Sequence, residues 1–261
     1  VARYHQEGVM GIGDEIMATA EARYFNELYG KKVVFSLNGQ VFYNEAVMKN
    51  NPRIEKEPRQ GDKYVVIANG PGCRPYIAGG DSKRWYWNTD FQLEPGEIFL
   101  TPDEIESGIE AKGKILIEPY VKETNWSKNK EWPHWGKFIE MAMNLPLAQM
   151  TYDHRPALVK EIKTKTFRRA LGYLYNCDMI ITADGALHHA AAALGVPCIT
   201  LWGGLITPDI LGYDEQINLW HGAKACGSKY ECPHCKEAMA AIQPEEVIGA
   251  VHEMRRRCVV T

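Results

Sequence analysis

One stretch constrains the fold of this chain more than any other: ITADGALHHAAAALGVPCITLWGG, from Ile181 to Gly204. A short β-branched strand over Cys177 to Thr182 meets a polar bend at Asp184-Gly185, and Ala186 to Leu194 follows with the alanine-rich content of a buried helix. Gly195 is placed to stop that helix as a left-handed cap, and Val196-Pro197 leads into a second apolar run, Cys198 to Trp202. A strand-helix-strand unit of this kind aims the unpaired N–H groups of a helix start beyond the strand ends, which makes an anion site, phosphate above all. His189 falls one turn into the helix, where a ring N–H could join as a donor. The alternative is that His188 and His189 only pack and bond locally.

The rest of the chain extends the same alternation. Gly11 to Gly30 has apolar and alanine positions at helical spacing, Lys31 to Leu37 and Lys63 to Gly70 read as strands, and Lys114 to Pro119 as another. Trp132 to Leu145 has the period of an amphipathic helix with Pro133 in its first turn. Leu147 to Thr151 reads as a strand, and Lys165 to Tyr175 and Gln243 to Arg257 as helices, the last with Pro244 and two glutamates at its start. Glycine, proline and acidic residues gather over Glu94 to Lys114, which we expect to be a linker between an N-terminal domain, 1–105, and a C-terminal one, 106–261. The segment Ala78 to Phe91, with Trp85, Tyr86 and Trp87, reads either as aromatic core or as a stacking surface for a sugar or base.

Composition excludes several classes of protein. With 261 residues, 45% hydrophobic and 24% charged, the chain is an ordinary globule rather than a disordered one. A net charge of −3 exerts no global pull on nucleic acid or anionic lipid, and Arg255-Arg256-Arg257 reads as a solvated helix end. No window reaches the ~20 continuous apolar residues of a membrane span and no signal-peptide pattern opens the chain, so the expected location is cytoplasmic. Seven cysteines, an odd number, suit a reducing compartment. Three of them, Cys226, Cys232 and Cys235, lie near His221 and His234, a set that could hold a structural zinc as Cys3His, form a local disulfide or remain a thiol-rich loop.

Two glycine-flanked turns precede helices, Gly11-Ile12-Gly13-Asp14 and Asp184-Gly185-Ala186, and two nucleotide-fold halves with such helix starts facing each other would form a cleft. Asp14, held at a helix start, has the placement of a general base or of a simple N-cap. Lys130 precedes the helix near Trp132-Pro133, where its charge either meets phosphate or is solvated.

In combination these motifs resemble the heptosyltransferase-like glycosyltransferases, family nine of the sugar-nucleotide enzymes. GIGDEIMATAEAR is similar to that family's N-terminal glycine-aspartate helix, and KEWP to its lysine-x-tryptophan-proline element. DGALHHAAAALGVPCITLWGG resembles its donor motif, and CPHCKEAMAAIQPEEVIGAV its cysteine-containing closing helix. The resemblance implies a GT-B-like α/β fold, two Rossmann-like parallel-sheet domains facing a cleft, the N-terminal one reduced. It implies inverting, metal-independent transfer of a heptose-like sugar from a nucleotide-diphospho-sugar to an acceptor hydroxyl, on a saccharide or lipopolysaccharide core, with no required cofactor. Asp14 would be the base, Lys130, Asp184, Gly185, Ala186 and His189 the donor site, and Gly11 and Gly13 the acceptor side. The chain departs from the family in having Gly185-Ala186 in place of Ser/Thr-Gly, a short polar segment before Gly11, and a shortened N-terminal half. Two other readings are a nucleotide-sugar-binding protein that has lost its chemistry and a phage-type transferase acting on DNA or another acceptor.

Overall fold

The structure, a computed structural model, describes residues 11–37, 39–58, 64–68, 74–152 and 155–260. The short segment before Gly11 lies outside the described residues, as do Lys63 and Gly70 at the ends of an expected strand.

Helix α1 (Ile12–Tyr29) ends at Gly30, whose φ of 62° is the left-handed cap that the glycine allows. Strands β1 (Val33–Leu37) and β2 (Gln40–Phe42) form an antiparallel pair, and after α2 (Glu45–Met48) the chain returns as β3 (Val65–Ala68), parallel to β1. The first sheet is thus three strands in the order β2-β1-β3. The aromatic segment left open above folds as a hairpin, β4 (Ile77–Gly80) and β5 (Trp85–Trp87).

The expected linker is ordered by packing. Glu97 donates its N–H to Thr19 Oγ1 at 2.6 Å, which lays the segment along α1. Helix α3 (Pro102–Glu106) carries a capping box in which Thr101 and Glu104 each bond the other's backbone N–H. Arg168 reaches back to Glu104 at 2.7 Å and to the Phe99 carbonyl, and its guanidinium holds the Glu104 carboxyl down to about 2.

From there the chain is regular α/β. It runs β6 (Ile115–Glu118), α4 (Trp135–Met141), β7 (Leu147–Thr151), β8 (Lys160–Lys163), α5 (Phe167–Asn176), β9 (Met179–Ala183), α6 (Ala186–Leu194), β10 (Cys198–Leu201), α7 (Pro208–Leu211), β11 (Ile217–Leu219), α8 (Pro233–Ala241) and α9 (Pro244–Val260). The sheet is wholly parallel, in the order β11-β10-β9-β6-β7-β8. Strands β7, β9 and β10 are buried along their whole length, which explains their continuous apolar runs. Gly195 caps α6 with φ 67°, as its position implied.

Helix α4 is shorter than its period implied. Trp132 Nε1 donates to the Ile242 carbonyl at 2.9 Å inside the core, so Pro133 and His134 form a turn out of that anchor before the helix begins. The edge strands β8 and β11, too short or too polar to show in the sequence pattern, were not foreseen. Residue 105 divides the strands of the first sheet and the hairpin from those of the second, yet one apolar cluster joins Ile16, Val33 and Phe35 to Leu116, Ala148 and Leu171 across it.

Candidate active site

In the second sheet the strand order reverses between β6 and β9, the place where an open parallel sheet leaves a crevice beyond its strand ends. The segment after β6 brings Lys122 and Lys130 to that crevice, and the turn after β9 brings Asp184, Gly185 and the start of α6. Lys130 Nζ donates to the Asp184 carboxylate and, at 3.2 Å, to the Asp184 carbonyl. Its charge also lies 5.3 Å from the ring centre of Trp126. Lys130 and Asp184, far apart in sequence, are therefore one unit.

The start of α1 is seated against the start of α6. A Cβ on Gly13 would stand 3.0 Å from His189 Cδ2 and in ordinary contact, 3.6 Å, with the Ala186 nitrogen. The two helix starts therefore touch at position 13, where a larger residue would require His189 to give by a few tenths of an ångström. One residue on, Asp14 accepts the Gly11 N–H at 3.1 Å, the Tyr76 hydroxyl at 2.5 Å and an ion pair from Arg74 at 3.1 Å. Asp14 is not the N-cap, which is Gly11, but the third residue of the helix, and its carboxylate turns back to the Gly11 N–H while Tyr76 and Arg74 hold it at the crevice. Gly11 is extended, with φ −68° and ψ 149°, and forms the N-cap position.

The histidines are placed differently from the expectation of a phosphate donor. His189 is buried and its Nδ1 pairs with the Tyr213 hydroxyl at 2.9 Å. His188 is fully buried, with Nε2 on the Leu211 carbonyl at 2.9 Å. Burial lowers the pKa of both rings, so they are neutral packing and bonding groups in this conformation.

Sequence reasoning missed four residues of this site. Tyr76 is buried, and its hydroxyl is raised well above the usual range first by burial and then by Asp14. Arg74 has a buried Nε with no partner among the described residues. Lys122, whose ammonium is destabilised by partial burial, feels Asp14, Arg74, Lys130 and Glu15. Glu15, beside Asp14, is buried and lifted to about 7 by desolvation, with Asn44 Nδ2 donating to its carboxyl. The residues after β6 could have been singled out by the rule that sites gather at strand ends. Arg74 and Tyr76 lie in a segment with no periodicity to mark them.

Cys226, Cys232, His234 and Cys235 place their ligand atoms within 4.8 Å of one another. Tetrahedral thiolate coordination at ~2.3 Å sets neighbouring sulfurs about 3.8 Å apart, so the cluster has the size and donor set of a Cys3His centre. His221, the other candidate, is instead held by Glu246 at 3.0 Å. The cluster is tied to the crevice through Asn129, which is buried. Asn129 accepts the Cys232 N–H at 2.8 Å and donates to the Tyr230 carbonyl at 2.8 Å, and Lys130 is its neighbour in the chain.

Residues 162–243 match the family model of glycosyltransferase family 9 (heptosyltransferase), a stretch that includes Asp184 to His189 and ends after the cysteine cluster. Asp14 and Lys130 lie outside it. None of the curated proteins matches the sequence. Among solved structures, the chain is similar to the iron-containing dodecameric glycosyltransferase TibC from enterotoxigenic E. coli H10407, with TM-score 0.63, 13% identity, and coverage of 97% of this chain and 78% of that one. TibC in complex with ADP-D-beta-D-heptose gives a TM-score of 0.60 at 13% identity, over 95% of this chain and 75% of that one. A glycosyl transferase family 9 structure from Veillonella parvula gives 0.61 at 14% identity, with 94% of each chain covered. Against the E. coli ADP-heptose lps heptosyltransferase II the chain spans about half of that protein, 54%, with 62% of its own length, at 15% identity and a TM-score of 0.48. The match to the glycosyltransferase family 9 (heptosyltransferase) model thus runs from β8 to the end of α8, and the chain as a whole shares the GT-B-type α/β fold of the TibC and Veillonella parvula structures.

Proposed function

We propose that this chain is an inverting glycosyltransferase that moves a sugar from a nucleotide-diphospho-sugar to an acceptor hydroxyl. The observation that carries the reading is the meeting of two helix starts, one bearing Asp14 and the other bearing the Lys130-Asp184 pair. Arg74, Lys122 and Lys130 face Asp14, Asp184 and Glu15, and burial lifts Glu15 toward its neutral form, which leaves the balance on the cationic side and suits a diphosphate. The unpaired N–H groups at the start of α6 add the dipolar half of the cradle.

In the reaction so proposed, Asp14 takes the proton of the acceptor hydroxyl as its oxygen attacks the anomeric carbon. The carbon–oxygen bond to the diphosphate breaks on the opposite face, so configuration inverts. The charge that develops on the leaving diphosphate is met by Lys130 and the helix start. Tyr76 and Arg74 hold the Asp14 carboxylate in place, and no step requires a metal ion. The TibC complex contains ADP-D-beta-D-heptose, and an ADP-sugar is the donor to test first.

The test separates chemistry from binding. Asp14→Asn should lower kcat by about 10²–10⁴-fold while leaving the ADP affinity nearly unchanged, because a base acts in the transition state. Lys130→Ala should weaken ADP by about tenfold or more in a calorimetric titration. Full activity in the Asp14 variant would remove the base. Turnover absent in the unmutated chain together with intact ADP binding would favour the second reading, a binding protein without chemistry, in which the Arg74-Asp14 ion pair holds the carboxylate permanently.

The cysteine cluster is a separate element of the proposal: Cys226, Cys232, His234 and Cys235 would hold one metal ion in a structural role. The donor set suits zinc or iron, and TibC is described as iron-containing. Such an ion would tie the 226–235 loop together and, through Asn129, support Lys130.

A further inference from the structure

We propose that the groove between β5 and the 220–226 segment binds a saccharide and seats an outlying unit of the acceptor glycan, whose reacting hydroxyl lies beyond the groove at Asp14. The inference rests on the transferase reading for the word acceptor and on the groove itself for the word saccharide. The groove encloses about 640 Å³, within the range of small-molecule sites, and Trp85, Trp87 and Trp220 line it together with Arg84, Asp209 and Lys224.

Two of its indoles are fixed by their polar edges. Trp87 Nε1 donates to the Leu205 carbonyl at 3.0 Å and Trp220 Nε1 to the Ala223 carbonyl at 3.0 Å, so neither ring has an unmet donor that would call for a specific hydrogen-bonding partner. What the half-buried rings offer is the apolar surface left after Tyr76 has stacked on Trp87 and Lys229 has come over Trp85, and such surface matches the C–H faces of a pyranose. At the rim, the side chains of Arg84, Asp209 and Lys224 make no hydrogen bond or ion pair with any described residue. A carboxylate and two cations beside stacked indoles can take paired hydroxyls as both acceptor and donor. A purely apolar ligand would leave these charges unmet. A nucleotide would need its phosphates at the β6/β9 crevice instead.

The groove is also mechanically joined to the base. Trp87 stacks on Tyr76 with centroids 6.1 Å apart, and the Tyr76 hydroxyl bonds Asp14 at 2.5 Å. Tyr76 shares one apolar cluster with Met17, Trp202 and Ile210, the last of which also lines the groove. One wall of the groove is therefore two side chains from the group that takes the proton.

The experiment follows the seven indole N–H signals in ¹H–¹⁵N spectra, assigned by Trp→Phe variants, during titration of the whole chain with maltotriose, cellotriose and chitotriose. At least one glycan should shift the Trp87 and Trp220 signals. Trp220→Ala and Asp209→Asn should each weaken that glycan by about tenfold, with ADP affinity held within about twofold. Glycan silence at these indoles, with ADP binding intact, overturns the groove and leaves the transferase reading standing. Glycan shifts with no ADP binding overturn the transferase reading and leave the saccharide site. A change of mass by light scattering in Trp220→Ala makes the groove a contact between copies and overturns the proposal.

Discussion

Glu15 shows how a site is shaped by a residue that takes no part in the proposed chemistry. Burial lifts its carboxyl from 4.5 to about 7, against the opposing bond from Asn44. The folded chain therefore keeps a proton that the unfolded chain releases between these values. The stabilisation is complete below about 4.5 and is lost as pH rises through about 7, and the gap corresponds to roughly 3 kcal/mol. Glu15→Gln preserves an oxygen for the Asn44 donor and removes the charge. It should raise the Tm near pH 8 and flatten its decline between about pH 5 and 8, and superimposable Tm curves for the two proteins would refute the assignment. At this scale the sequence displayed Asp14, Lys130 and Asp184 because each sits at a turn that opens a helix or follows a strand. It did not display Arg74, Tyr76 or Glu15, whose importance comes from which distant groups they meet. Nor does a His-His pair tell a buried ring from a presented one: His189 is buried, with Nδ1 on Tyr213 and its Cδ2 edge toward Gly13.

Among the elements, the docking of α3 on α5 is decided by a close approach between backbones. Gly172 lies against the carbonyl of Glu104, too near for a Cβ to be fitted, and Gly108 lies against the backbone of Gly172 itself. Replacing Gly172 by Ala in mid-helix would ordinarily gain about 1 kcal/mol. Here the obstacle is main chain, which cannot rotate away, so the net effect should be a loss of about 1–3 kcal/mol, read as a lower urea midpoint at unchanged m. A midpoint equal to or above that of the parent would show that α3 is loosely held. Elements with strong period or sharp caps were readable: α1, α6 and the buried strands β6, β7, β9 and β10. The segment read as a linker is packed rather than loose, because glycines in it serve close helix contacts and Glu97 is tied to α1. The strands β8 and β11 escaped because short edge strands exist through their neighbours' hydrogen bonds rather than through their own pattern.

For the molecule as a whole, the 226–235 loop is the part on which most depends. Beyond its cysteines and His234, it pairs with the N-terminal hairpin, Trp85 donating to the Gly227 carbonyl at 2.8 Å and Lys229 to the Lys83 carbonyl at 2.9 Å. It also holds Asn129 next to Lys130. Dialysis against a strong chelator should therefore lower the Tm and weaken ADP together, with elemental analysis before treatment giving about one metal ion per chain. Loss of metal with both values unchanged would sever the cluster from the crevice. The cysteine spacing announced a cluster, but its tie to the hairpin and to Lys130 runs through backbone groups that no side-chain pattern reveals. That tie also sets an order of events at the ribosome. The hairpin leaves the exit tunnel long before residues 226–229 exist to pair with it, so Trp85 waits for the Gly227 carbonyl and the Lys229 side chain while more than a hundred residues are added. A nascent chain stalled ahead of Cys226 presents the Trp85 indole without those partners to the chaperones that patrol unfinished proteins.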